Sequence, residues 1–266
     1  MGLFNRNYNK PGPGISKDEP PKKGVKRFFQ LLSEDGSDLL KLNLIFCICI
    51  IPSALVFLLW LFGFLGALAF ALSFVLALPV GGAMTACHYC IAKMLREEPG
   101  YVWHDFKRKF KENFKQSLMP GLMYIAFIYA QIYQFYLISL ELIAVDAFLL
   151  ITVMLVPLIF GMITPYIFLQ IAHINLKITQ IFTNSVLMFL KNLPRSLMGA
   201  LTGGIVYIAF MLFFPASIAL PPFTIILILY GFTIPWLLCL MWVWPVTDKA
   251  FSITERLNAE SEDKDS

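Results

Sequence analysis

Charge is what this chain has least of, and its absence is not spread evenly. Only 14% of the residues are Asp, Glu, Lys or Arg while 58% are apolar; soluble domains have ~25% and ~45–50%. Three stretches, 42–92, 117–172 and 196–246, contain no Lys or Arg. A soluble fold of this length cannot bury three such runs. Signature motifs are missing too. There is no Gly-x-x-x-x-Gly-Lys-Ser/Thr, no His-Glu-x-x-His and no Gly-x-Ser-x-Gly, which excludes a P-loop, a helical zinc protease site and a nucleophile elbow. Residues 1–27 lack the ~7–15-residue apolar core of a cleavable signal peptide. Arg6 stands where a myristoylation signal needs a hydroxyl residue.

What is present is a grouping of the cations. All 21 Lys and Arg fall in four windows: 6–41 (eight), 93–115 (seven), 177–195 (three) and 249–264 (three). Each apolar block between windows accommodates two spans of ~20 residues and a turn. Cations are retained on the cytoplasmic side of membrane spans. The pattern therefore predicts an all-α polytopic protein of the cell membrane, with six transmembrane helices as three hairpins and both termini cytoplasmic. The expected organisation is a disordered cytoplasmic tail at 1–27, a six-helix membrane domain at 28–247 and a cytoplasmic tail at 248–266. The hairpins are 42–92, 117–172 and 196–246. The net charge of +4 and pI near 8.7 are then accounted for by the bilayer, and no nucleic-acid partner is expected.

Within the first hairpin, Pro79 with Gly81 and Gly82 predicts a kink. The small residues Gly82, Ala83, Thr85 and Ala86 predict close helix approach. Pro165 and Pro235 predict further bends, and Pro221 and Pro222 a helix start. The outer turns are short, carrying only Glu141 and Asp146 as acids. On the inner side, Trp103, Phe106, Phe110 and Phe114 recur at helical spacing, interleaved with Lys107, Arg108, Lys109, Lys111 and Lys115. An apolar stripe backed by cations is the pattern of a helix in the headgroup layer. An interfacial amphipathic helix is expected at 101–115 and a second at 178–193 (Phe182, Val186, Phe189, Leu193). Phe28, Phe29, Leu31 and Leu32 form a third candidate. Such helices either anchor the loops or present a partner-binding surface. Residues 110–119 and 189–198 share Phe, Asn, Ser, Leu and Met at an offset of 79, where Gly82 and Thr85 also match Gly161 and Thr164; this points to a duplicated plan.

No catalytic constellation emerges, and no cofactor or metal is expected. Cys47, Cys49, Cys87, Cys90 and Cys239 fall at similar depth near His88. They are either small core residues on the reducing side or a soft-metal site for copper or zinc. Gln131 and Gln134 lie mid-membrane, as interhelical glue or as part of a path, while Gln170 and His173 close the fourth helix. Trp236, Trp242 and Trp244 suit an interfacial belt.

The run from Gly81 to Leu122 resembles the YesL family of bacterial membrane proteins, typical of Gram-positive bacteria. The resemblance rests on Leu42-Asn43 at the start of the first helix and on the Gly82, Ala83, Ala86 step. It rests also on the basic segment holding Asp105, Phe106, Phe110, Lys111 and Asn113. It implies the cytoplasmic membrane and an association with carbohydrate uptake and two-component systems, and it assigns no catalytic or binding residues. The expected function is a non-enzymatic accessory protein that docks a partner, a carbohydrate ABC transporter or a sensor kinase, at its basic cytoplasmic face. The alternative is a small solute transporter or channel, favoured by the bends at Pro79, Pro165 and Pro235 and by the Gln131/Gln134 pair. The Glu-Ala-Ala-(x)3-Gly loop of ABC permeases is not matched by 105–116, so a permease subunit is not expected.

Overall fold

A computed structural model describes residues 24–98, 100–143, 146–213, 225–257 and 259. Of the tail expected at 1–27 only 24–27 are described, and they open α1; of that expected at 248–266, residues 248–257 and 259 are described and continue the last helix and the turn after it; the third outer turn with Pro221 and Pro222 lies outside the described residues. Among the described residues there is no strand. The helices are α1 (Gly24–Glu34), α2 (Gly36–Leu61), α3 (Gly66–Leu76), α4 (Leu78–Leu95), α5 (Val102–Ser139), α6 (Ala147–Leu150), α7 (Val156–His173), α8 (Ile178–Lys191), α9 (Leu193–Phe213) and α10 (Thr233–Phe251). A π-helical segment, Ile151–Leu155, joins α6 to α7. Four stretches are long and apolar enough to cross a membrane: Gly36–Leu61, Gly66–Leu95, Val102–Ser139 and Ala147–His173.

Helix ends follow local chemistry. After α2, Phe64 N–H reaches Leu59 O and Gly63 N–H reaches Trp60 O, with Gly63 left-handed at φ 83. This is the Schellman stop, and glycine fits it without a Cβ penalty. The same pair of bonds closes α4 (Glu98 to Lys93, Glu97 to Met94) and α5 (Leu142 to Leu137, Glu141 to Ile138). There the left-handed positions hold Glu97 at φ 59 and Glu141 at φ 56, conformations that an L side chain disfavours.

The interruption expected near Pro79 is present, whereas Pro235 acts differently from expectation. The return crossing breaks at Ala77, before Pro79, and Pro79 sits in the first turn of α4, where no intrahelical donor is needed. Pro235 likewise lies in the first turn of α10, behind a break at Gly231, so it opens a helix instead of bending one. Pro165 lies inside α7, and the widened π turn stands just ahead of Pro157, which also occupies an opening turn.

The expected separate interfacial helix at 101–115 is corrected by α5, which runs unbroken for 38 residues from Val102 to Ser139. At ~1.5 Å per residue it spans ~57 Å, against a hydrocarbon core of ~30 Å. A good part of it must therefore stand outside any bilayer. Residues 178–191 do form a separate helix. Its buried face is Ile181, Ser185, Met188 and Phe189, however, and Val186 and Leu193 of the expected stripe are exposed.

The core centres on α4, where every residue from Val80 to Ala92 is buried. It packs on α2, α5, α7 and α10. A Cβ on Gly81 would overlap the Ser117 carbonyl, and one on Gly121 would overlap the Gly81 backbone. Two glycines thus let α4 and α5 meet backbone to backbone. Exposed large apolar side chains instead populate α2 (Ile48, Leu55), α3 (Leu68, Val75), the later part of α5 (Phe135) and the π segment (Met154). These bulky side chains form the surface that lipid would cover.

Candidate functional site at the cation-bearing end

The C-terminal ends of α4, α7 and α10 converge with α1 and the start of α5. Polar chemistry collects there because these turns carry the cations excluded from the apolar runs. Asp105, 6% exposed, accepts from Lys93 Nζ at 2.7 Å and Arg108 NH2 at 3.2 Å. This charge pairing welds the start of α5 to the end of α4. Arg108 also donates to Tyr89 Oη at 3.3 Å, and Lys109 Nζ lies 4.8 Å from the Tyr89 ring centroid.

Beyond Tyr89 the aromatic contacts continue. Tyr89 meets the His173 ring at 5.1 Å, and His173 meets Trp244 at 5.1 Å. Arg96 lies with its Cζ 4.9 Å from the Trp244 centroid, an attractive cation–π placement. It donates to Glu98 and lies 3.4 Å from His173 Nε2. The network assigns the His173 tautomer: Nδ1–H donates to Leu169 O at 3.0 Å, leaving Nε2 to accept from Arg96. Arg27 of α1 pairs with Glu97 and donates to Leu95 O at 3.4 Å. It therefore places a cation on the carbonyl end of α4, where the helix dipole favours one. At the α1–α2 corner, burial raises the Asp35 carboxyl above its ordinary pKa of 3.8, Asp38 and Glu34 add to the rise, and Arg27 opposes it.

The predicted stripe divides across α5. Phe106 is buried, and the Phe110 and Phe114 rings cover Gly82, where a Cβ would come within 3.1 and 3.3 Å of them. The aromatic face is turned onto α4 and not outward; Trp103 alone is well exposed. Of the cations, Arg108 binds Tyr89 and Asp105, and Lys109 pairs with Glu112. Lys107, Lys111 and Lys115, spaced one turn apart, are exposed. Ala83, Thr85 and Ala86 are fully buried, and Thr85 Oγ1 donates to Gly81 O.

The two glutamines of α5 part ways. Gln134 Nε2 donates to Thr152 Oγ1 at 2.6 Å, tying α5 to the π segment. Gln131 Oε1 is buried with no hydrogen-bond partner among the described residues. The five cysteines are free, and four are buried. Among the described residues no three His, Cys, Asp or Glu side chains gather to hold a metal ion, so the soft-metal alternative is not assembled. His88 donates Nδ1–H to Met84 O at 2.8 Å and packs on Phe168 and Trp236. Trp236 and Trp244 are thus packing residues, and Trp242 is the exposed one of the three.

Sequence reasoning noted Asn43 only as a motif residue and missed its work. Its Nδ2 donates to Leu227 O at 2.9 Å and Ile228 O at 2.7 Å, and its Oδ1 accepts from Phe232 N and Thr233 N. One carboxamide satisfies both sides of the backbone break before α10. A lone amide in an apolar helix, with Gly231 far along the chain, was the available signal. Arg27, Arg96 and the Tyr89–His173–Trp244 cluster were missed because each needs partners from distant helices.

Comparison with known proteins adds one match. A family model described as DUF624, a protein of unknown function, matches residues 39–135. That stretch runs from α2 into α5 and holds Asn43, Gly81, Gly82, Asp105 and Gly121. No curated protein and no solved structure matches the chain.

Proposed function

We propose that this chain is a non-enzymatic accessory protein of the cell membrane. It crosses six times, with both termini and the cation-bearing end in the cytoplasm, and it docks an acidic partner surface on the Lys107–Lys111–Lys115 ridge. One observation carries this reading: α5 is too long for a bilayer, and its protruding part turns Phe106, Phe110 and Phe114 onto α4 while leaving the lysine ridge exposed among the described residues. A helix that only anchored itself in headgroups would turn its aromatics the other way. The YesL-like pattern supports a carbohydrate ABC transporter or a sensor kinase as the partner.

The test is charge reversal of Lys107, Lys111 and Lys115 to Glu, leaving Arg108 and Lys109 to their internal partners. Cross-links to the partner in native membranes should vanish while the thermal stability of the purified protein is unchanged. Undiminished cross-linking would refute the docking role. Single cysteines at Lys107 should label only from the cytoplasmic side.

A small solute transporter or channel is the second reading, supported by the unpartnered Gln131 Oε1. Flux through reconstituted liposomes that falls on Gln131→Leu substitution would favour it.

A further inference from the structure

A groove of about 860 Å³ lies between α8, the start of α9 and the end of α10, lined by Leu187, Met188, Lys191, Arg195, Val246, Lys249 and their neighbours. It lies outside the segment matched by the family model. Three features give it one chemistry. Lys191, Arg195 and Lys249 bring three cations from three helices to one rim, and none of them has an ion-pair partner among the described residues. Among the described residues no acid lines the groove. The adjacent carboxylate, Asp248, is occupied, accepting from Thr254 N at 2.8 Å and Thr254 Oγ1 at 2.9 Å. Arg195 stands in the first turn of α9, whose amino end favours an anion.

Leu187, Met188, Val246 and Phe251 give the groove apolar lining beside its cations, and α8 and α9 carry exposed apolar side chains on from it. Leu187 and Leu190 of α8 and Leu193, Met198, Leu201 and Ile205 of α9 are all exposed. A soluble phosphate compound would gain nothing from that continuation, whereas an acyl chain would follow it. We infer that this groove holds an anionic phospholipid, its phosphate among Lys191, Arg195 and Lys249 and its chain along Leu187, Leu193 and Leu201. The size suits a headgroup site, since ligand pockets run roughly 300–1,000 Å³. Basic pockets between helices at a membrane surface select such headgroups. The inference needs the membrane, but not the docking role of the α5 ridge.

The experiment compares the full chain with phosphatidylglycerol and with phosphatidylcholine, by native mass spectrometry of retained lipid and by melting in nanodiscs of each. Phosphatidylglycerol should be retained preferentially. Lys191→Gln, Arg195→Gln and Lys249→Gln should each cut that preference about fivefold, the worth of one cation near an anionic surface. Lys107→Gln should leave it unchanged. Because the readout is a ratio between two lipids, a general loss of stability in a variant cancels, and Lys249→Gln, exposed at the end of α10, serves if the others fold poorly. Equal retention of both lipids, or a preference untouched by all three substitutions, would overturn the assignment. So would displacement of the lipid by excess inorganic phosphate, or a dimer that occludes the groove.

Discussion

Helices α3 and α4 lie end to end in one crossing, and both are apolar, but they face different solvents. In α3, Leu68, Phe70, Leu72 and Val75 are exposed; in α4, nothing from Val80 to Ala92 is. The side chains differ accordingly. The lipid-facing half uses bulk, and the protein-facing half uses Gly81, Gly82, Ala83, Thr85 and Ala86. Hydrophobicity puts both halves in the membrane, but it cannot hold helices together there, because lipid is as apolar as leucine. Close backbone approach does that work at Gly81 and Gly121, near the start of α4, and paired polar groups do it at the cation-bearing end.

The sharpest way to break the contrast is Gly81→Val. Its Cβ would overlap the Ser117 carbonyl, and neither backbone can yield cheaply, so a loss of more than ~4 kcal/mol is expected. Leu68→Ala in α3, 72% exposed, should stay within ~0.5 kcal/mol. Reversible unfolding in mixed micelles measures both, and equal effects would dissolve the distinction.

Asn43→Leu comes next. It takes the side-chain partner from Ile228 O and from two N–H groups at the break before α10, while Leu227 O keeps the Gly231 N–H. At ~1–3 kcal/mol for each unmet group, partly relieved by water, a loss of about 3 kcal/mol should follow. A shape-matched Asn43→Asp variant, whose buried carboxyl stays protonated and so keeps the acceptor and one O–H donor, should recover part of it. The same unfolding assay would contradict this account if Leu were tolerated.

Smaller, and opposite in sign, are two glycine substitutions. Glu141→Gly relieves a left-handed residue at the exposed end of α5 and should stabilise by ~1 kcal/mol. Glu97→Gly relieves the same strain at the end of α4 but breaks the Arg27 pair, so its gain should be smaller or negative. Melting temperatures of the two variants, side by side, decide this.

The smallest effect is Asp35→Asn. The Asp35 carboxyl is raised above 3.8, chiefly by burial, so the folded state disfavours its charged form. The penalty is present at neutral pH and disappears as pH falls below 3.8, where both states are protonated. Asn should therefore raise the melting temperature slightly at pH 7 and leave it unchanged in acid.

The crossings were legible because exclusion of Lys and Arg from hydrocarbon is a strong, one-dimensional signal. That is why 42–92 and 117–172 fall within α2 through α4 and α5 through α7, which hold the four stretches long and apolar enough to cross a membrane, although α5 begins well before 117. The aromatic periodicity of 103–114 was legible as well, but not which surface it met. Protein and lipid both accept Phe110, and only the placement of Gly82 opposite decides. The π segment carried no compositional mark. The Arg27–Glu97 clamp joins α1 to α4, and the lipid groove joins α8, α9 and α10; neither exists until the chain is folded in three dimensions.

The full enclosure of α4 sets an order of events during synthesis. Its neighbours α7 and α10 are translated well after it, and His88 gains Phe168 and Trp236 only once both have emerged. The hub of the bundle is made early and finished late. Until the ribosome delivers its final third, His88 must wait for the last of the helices that will enclose it.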